Sequence, residues 1–421
     1  MSVSIGKDYP FRQQILEEVH ARPVEMLPAR SRVRRLVFVV PPETGGIPAT
    51  LRSFCAWCEA SGLGQPCAKD VRQHSFSANG RQVTWEFHTE FVTITWTAAP
   101  DDTDSAPEGI GLESIDGPLL LGAMRIELVD DAQLPDALLP GFNPQSLCVI
   151  GVEEGAGQLA TDFVPDAERF TRFEFAAGRL PPLRRAILVR RILEIETYRT
   201  MALIGLPLAR QHATELGSIE SELTENVNSL AEATETSRAQ TALEALHGLM
   251  VRAGRLSERL TYRFAACQAY GDILQARLGA IHERPTPLGS SLSRYILNRV
   301  DPALRTYAAM EKRLDVLFAK IERAVELLNV RIGLDVQIQN KEVLQTIAKT
   351  GRSQFLLQRT VEGLSTIAIS YYTIGILGYV LATPMEMLAI EKTLVLSIAA
   401  PFVLLGVWLM VRAVRKRHFS E

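Results

Sequence analysis

No excess of charge of either sign marks this sequence: its 421 residues carry 45 Lys and Arg against 48 Asp and Glu. That balance excludes the basic signature of a nucleic-acid binder, and it excludes a polyacidic tail. Catalytic signatures are missing as well. There is no GxxxxGKS or GxxxxGKT phosphate loop, no HExxH zinc helix, no GxSxG elbow and no dinucleotide fingerprint after a strand. No named catalytic constellation stands up, and the chain reads as a non-enzyme whose one cofactor candidate is a divalent cation. Cysteine is scarce, at five residues, and a cytoplasmic setting would keep these as reduced thiols. Cys55-Ala-Trp-Cys58 has redox or zinc spacing, but it sits in the amphipathic stretch LRSFCAWCEASGL without a second such pair, so packed helix cysteines are expected. MSVSIGKDYP lacks a basic segment followed by an apolar one, which leaves the long first part in the cytoplasm. Proline is absent between Pro302 and Pro384.

What is present is a concentration of apolar residues at one end. The chain is 47% hydrophobic and 22% charged, enough to bury a core, yet its mean hydropathy is slightly positive at +0.07. Two uncharged runs account for it, LSTIAISYYTIGILGYVLA (364–382) and TLVLSIAAPFVLLGVWLMV (393–411). Each is close to the roughly 20 residues that a helix needs to cross a bilayer. Lys349, Arg352 and Arg359 precede the first run, and Arg412, Arg415, Lys416 and Arg417 follow the second. Basic flanks stay on the cytoplasmic side, so a hairpin with both chain ends inside is expected.

Ahead of the runs, residues 1–180 alternate between strand and helix signals and read as an α/β domain with a mostly antiparallel or mixed sheet. Strand patterns fall at 34–40, 81–96, 119–129, 147–152, 158–164 and 169–175, and helical ones at 11–21 and 48–61. In RQVTWEFHTEFVTITW the apolar face changes side after Glu90, which predicts a turn near His88 to Glu90. The stretch 97–118 is rich in Asp, Ser, Pro and Gly and reads as a mobile loop. Residues 181–290 read as a helical domain, with helices at 183–206, 208–231 and 237–281. Residues 291–363 read as a long stalk helix, in which Leu314, Leu317, Ile321, Ala324 and Leu328 keep a 3,4 spacing that Ile332 and Val336 continue after a one-residue shift. Two membrane helices (364–382 and 393–411), an outer loop (383–392) and a basic tail (412–421) complete the division. The fold class is an α+β cytoplasmic domain, then a long helical stalk and two C-terminal transmembrane helices.

Several polar groups are candidate sites. His20 and Arg22 lie in EEVHARP, at a helix end that Pro23 disfavours continuing. Glu86, His88 and Glu90 would share one strand face if the register held, and carboxylates with an imidazole suit a divalent metal or another ligand. The plainer reading pairs that face with Arg22, Arg34 or Arg35. Arg190, Arg191, Glu194 and Tyr198 have the spacing of an intrahelical salt-bridge ladder. Thr366, Ser370 and Thr373 form a hydroxyl stripe in the first run, suited to close helix packing or to lining a pore, and Glu386 could ring an outer mouth.

The segments EEVHARP (17–23), WEFHTEF (85–91), RRILEIETYRTMALIGLPLAR (190–210), RFAACQAY (263–270) and LQRTVEGLSTIAISYYTIGILGY (357–379) resemble a bacterial family of membrane-anchored proteins of unknown function. More distantly, the order of domain, stalk and two-span hairpin, with Gln339-Asn340-Lys341 upstream of the first span, is similar to the CorA magnesium-transporter superfamily. That resemblance implies a homo-oligomer, pentameric in the superfamily, conducting a divalent cation across the inner membrane through its first spans. The sequence departs from it where the superfamily carries Gly-Met-Asn: here stand Tyr379-Val380-Leu381-Ala382-Thr383 and Pro384-Met385-Glu386. A CorA-like channel is one expectation. A membrane-anchored scaffold or sensor whose cytoplasmic domain binds a partner or small ligand is the other.

Overall fold

In the computed structural model the described residues are 7–12, 15–16, 23–64, 72–232, 236–382 and 391–418. They fall into two units, Met1–Ala231 with Glu244–Glu322, and Glu232–Leu243 with Arg323–Glu421. The protein is α+β.

The first unit is built on a nine-stranded sheet. Its strands are β1 (Ser31–Val39), β2 (Gln73–Ala78), β3 (Arg81–Phe87), β4 (Phe91–Ala98), β5 (Leu119–Val129), β6 (Cys148–Val152), β7 (Gly157–Pro165), β8 (Thr171–Ala176) and the two-residue edge β9 (Arg284–Pro285). The order is β2-β3-β4-β1-β5-β8-β7-β6-β9, antiparallel except for the β5–β8 pair. The turn foreseen near His88 to Glu90 separates β3 from β4. β2 has no strong sequence signal, since QHSFSA offers one large apolar residue, Phe76.

Alternation along β3 and β4 divides the sheet into two chemistries. Val83, Trp85, Phe87, Val92, Ile94 and Trp96 are buried on one face, packed under helix α1 (Gly46–Ala60). The Phe54 ring stacks on Trp85 at 4.2 Å. Cys58 belongs to this core, and burial pushes its thiol up to about 11, so the CxxC is packing and not a reactive pair at neutral pH. The segment after β4, expected to be a mobile loop, is tied to the same face. Arg81 donates to both carboxylate oxygens of Asp102 (2.6 and 3.1 Å), Arg32 and Arg34 donate to the Asp102 carbonyl, and the Trp85 indole donates to the Ile110 carbonyl at 2.8 Å. Gly111, at φ +86°, lets the backbone pass between Trp85 and Trp57, where a Cβ would come within 3.1 Å of an indole.

The other face receives helix α2 (Pro182–Leu203), which lies across β5 and buries Ala186, Val189, Ile192 and Leu193. Helices α3 (Leu206–Glu232) and α4 (Thr236–Ala280) follow, then α5 (Leu292–Val380), which contributes to both units. Gly271 of α4 permits close approach of Leu304 on α5, and Phe264 stacks on Tyr307 at 4.8 Å.

Further along the α1 side of the sheet, a charged row crosses the strands. Arg34, Arg125 and Arg172 are successive register partners, and beside them lie Arg32, Glu127 and Glu174. Burial, then the adjacent Glu127 charge, raises the Glu174 carboxyl from 4.5 to about 7. Its folded value lies above its free value, so protonation favours folding. Its contribution to stability is full below about 4.5, falls as pH rises towards 7 and is flat above. Glu174→Gln should therefore be more stable than the parent at pH 8, by up to about 3 kcal/mol, with the gap closing at pH 4. Urea unfolding at the two pH values measures this, and a gap that does not depend on pH would refute it.

In the second unit, α5 and α6 (Lys392–His418) are both long and apolar enough to cross a membrane. Mean hydropathy reaches 1.3 in the most apolar stretch of α5 and 2.5 in Thr393–Ala413. Val411 lies beside Leu357, Val361 and Glu362 around a groove of about 370 Å³, so the two helices run antiparallel. The stripe along α5 is buried through Leu314, Leu317, Ile321, Ala324 and Leu328, whereas Val330, Leu334, Val336 and Ile338 beyond it are exposed.

Candidate functional site

The polar face of the β3–β4 hairpin would be expected to meet water. It is instead roofed. Pro23-Val-Glu-Met-Leu-Pro28, in neither helix nor strand, crosses it. Arg185 of α2 donates to the Leu27 carbonyl (3.1 Å) and to the Leu180 carbonyl (3.0 Å). Gln73 donates to the Pro23 carbonyl and Gln82 to the Glu25 carboxylate, each at 3.2 Å. Between this strap, α2 and the sheet lies a cleft of about 580 Å³. Thr84, Thr95 and Thr97 line its floor, and Val24, Leu27, Val189 and Leu193 its sides. Its size is that of an ordinary small-molecule site.

One end of the cleft is charged. Glu86, whose side chain is only 5% exposed, accepts from Arg35 (3.0 Å), Arg190 (3.1 Å) and the Thr93 hydroxyl (3.2 Å). Arg35 also donates through Nε to the Thr95 hydroxyl at 2.7 Å. Arg190 continues to Glu194 at 3.1 Å, and Glu194 to Arg277. Among the described residues three arginines (Arg35, Arg190, Arg277) thus alternate with two glutamates (Glu86, Glu194). A carboxylate held by two guanidiniums in a desolvated place fixes their positions.

This arrangement bears on the residues singled out from sequence. Arg35 does pair with Glu86. The Arg190–Glu194 rung of the intrahelical ladder forms, but both residues also reach other elements, and Arg191 donates to the Ala280 carbonyl at 2.7 Å. Tyr198 stacks on Tyr270 at 6.0 Å. The structure does not bring Glu86, His88 and Glu90 together, because β3 ends at Phe87 and the strand register stops there. The His88 ring stacks on Phe91 at 4.0 Å. Glu90 pairs with Arg263 at 2.8 Å and accepts from the Tyr270 hydroxyl at 2.7 Å. Burial and this hydrogen bond push the Tyr270 phenol well above its ordinary range. Among the described residues no three His, Cys, Asp or Glu side chains gather as a metal site would need. His20, Arg22 and Glu386 lie outside the described residues. Thr366, Ser370 and Thr373 each donate to the carbonyl four residues back, at 2.8, 2.7 and 2.7 Å. Sequence reasoning missed the strap, Gln73 and Arg185. The Pro23…Pro28 spacing was the available signal.

No curated protein and no solved structure matches the chain. A family model matches residues 7–418, nearly the whole length, and by that match the chain belongs to the family described as "Protein of unknown function (DUF3422)".

Proposed function

We propose that the protein is a membrane-anchored sensor, in which the first unit is a cytoplasmic domain receiving a small ligand and the α5–α6 hairpin is the anchor. The roofed cleft carries this reading. A polar sheet face enclosed by a strap, with an arginine pair at one end and apolar sides, is built to hold a molecule. The anchor rests on the two uncharged runs and on their exposed Ile367, Tyr371, Ile398, Phe402 and Leu409, surface that suits lipid. Basic residues on both flanks favour a bacterial inner-membrane hairpin with both chain ends on the cytoplasmic side. The exposed Val330, Leu334 and Ile338 on α5 favour self-association of this anchor.

A second reading, a CorA-like pentameric divalent-cation channel, is favoured by the hydroxyls of Thr366, Ser370 and Thr373 on one face of α5. Against it stand the absent Gly-Met-Asn and the commitment of each hydroxyl proton to its own helix. The two readings differ on which part works. The sensor predicts that the full chain in liposomes passes no Mg²⁺, Co²⁺, Ni²⁺ or Zn²⁺ above empty vesicles. Flux of any of these that falls with Thr366→Val would overturn it in favour of the channel.

A further inference from the structure

The groove between α5 and α6 lies at a depth that indicates what it would hold. Resting on the anchor reading, we propose that it binds the headgroup of a phospholipid bearing a primary ammonium, with Glu362 as the counter-ion. The depth follows from the sequence. Glu362 stands two residues ahead of the first uncharged run, and Val411 closes the second. Both helices pass here from the hydrocarbon into the headgroup layer. The groove of about 370 Å³ opens at that level. Leu357, Val361 and Val411 give it apolar flanks that shelter polar contacts from water, and Gln358, Glu362 and Ser365 give it a polar side.

Charge sets the headgroup. Glu362 is the one charged side chain lining the groove, and it is partly buried. Gln358 donates to one of its oxygens at 3.2 Å, and among the described residues no cation pairs with it. Beyond the groove the flanks are basic, with Arg359 one turn earlier on α5 and Arg412 next to Val411, which suits the phosphate of the same lipid. A primary ammonium brings three N–H groups to Glu362, Gln358 and the Ser365 hydroxyl. A choline headgroup carries the same charge with no N–H to donate. A glycerol headgroup carries no cation, and its phosphate would meet Glu362 with like charge.

The test uses the full chain, delipidated in detergent and offered equal amounts of phosphatidylethanolamine, phosphatidylcholine and phosphatidylglycerol with the same acyl chains. Native mass spectrometry counts the bound lipid. The ethanolamine lipid should be retained about fivefold over each of the others. Glu362→Gln keeps the shape of the side chain and should erase that preference. Ser365→Trp, at an exposed lining position, should displace the lipid. Glu342→Gln, on α5 outside the groove, should bind as the parent does. Soluble O-phosphoethanolamine has no chains to hold it at the hairpin and should not compete. Competition by it would overturn the lipid as occupant. Preference for the glycerol lipid, no preference, or a preference that survives Glu362→Gln or Ser365→Trp would overturn the site. Flotation with liposomes separates this from the anchor. A chain that stays on vesicles through carbonate yet shows no ethanolamine preference loses the site and keeps the anchor, and one that leaves the vesicles loses both.

Discussion

Glu86→Leu should destabilise the first unit by about 3–5 kcal/mol, because it takes away the carboxylate that the buried Arg35 guanidinium pairs with, and one of those that Arg190 reaches. Arg35 is buried among strand residues and Arg190 is three-quarters buried, so water cannot easily replace the lost carboxylate. For comparison, Glu168→Ala removes a half-exposed partner of Arg125, which keeps Glu127 and Asp166, and should cost less than about 1 kcal/mol. The readout is convenient. Three of the four tryptophans, Trp57, Trp85 and Trp96, pack at or beneath α1 on this sheet, so thermal unfolding followed by fluorescence reports mainly on this unit. A loss of this size should lower Tm by about 10 °C. If the Glu86 and Glu168 variants melt together, the buried pair is not what holds the cleft. A double change, Glu86→Leu with Arg35→Met, should recover part of the loss, since removing both charges is milder than removing one.

That contrast also shows how far the sequence can be read. The alternation Val83, Trp85, Phe87 against Thr84 and Glu86 gives the strand and its buried face directly, because a period of two is a local property. The jump in phase after Glu90 gives the turn for the same reason. What covers the polar face is not local. The strap comes from some 60 residues earlier and is held by Arg185, roughly 160 residues from its Leu27 partner. Nothing in the spacing of either segment encodes that meeting. The reading of Glu86, His88 and Glu90 as one face failed where it assumed a continuous strand, although the same residues announced the turn that broke it. Arg190 and Glu194 show the converse. Their helical spacing was legible, and their more consequential partners, Glu86 and Arg277, were not. The long helix and the apolar runs were visible in outline because each is a one-dimensional pattern. The exposed stretch after Leu328 shows where a periodic stripe stops indicating burial within one chain.

Ending the chain at Ser353 should move the protein entirely from the membrane fraction to the supernatant, while the full chain should resist alkaline carbonate. Leu364, Ile367, Ile376, Leu394, Ile398, Phe402, Leu405 and Leu409 are each half or more exposed along α5 and α6. Burying such a side chain is worth about 1.5–3 kcal/mol, so this set alone represents more than about ten kcal/mol that water would charge and lipid would not. No charged residue lies within either run to offset it. A single arginine at Ile398, in a helix window with no buried residues, should weaken insertion by about 2.5–3.5 kcal/mol and leave part of the protein extractable. The same change at Val330, outside both runs, should leave extraction unaltered. Carbonate release of the full chain, or equal sensitivity at Ile398 and Val330, would mean that the exposed apolar surface of α5 and α6 is met by protein and not by lipid. The hairpin would then be an assembly element, and the cleft would belong to a soluble oligomer.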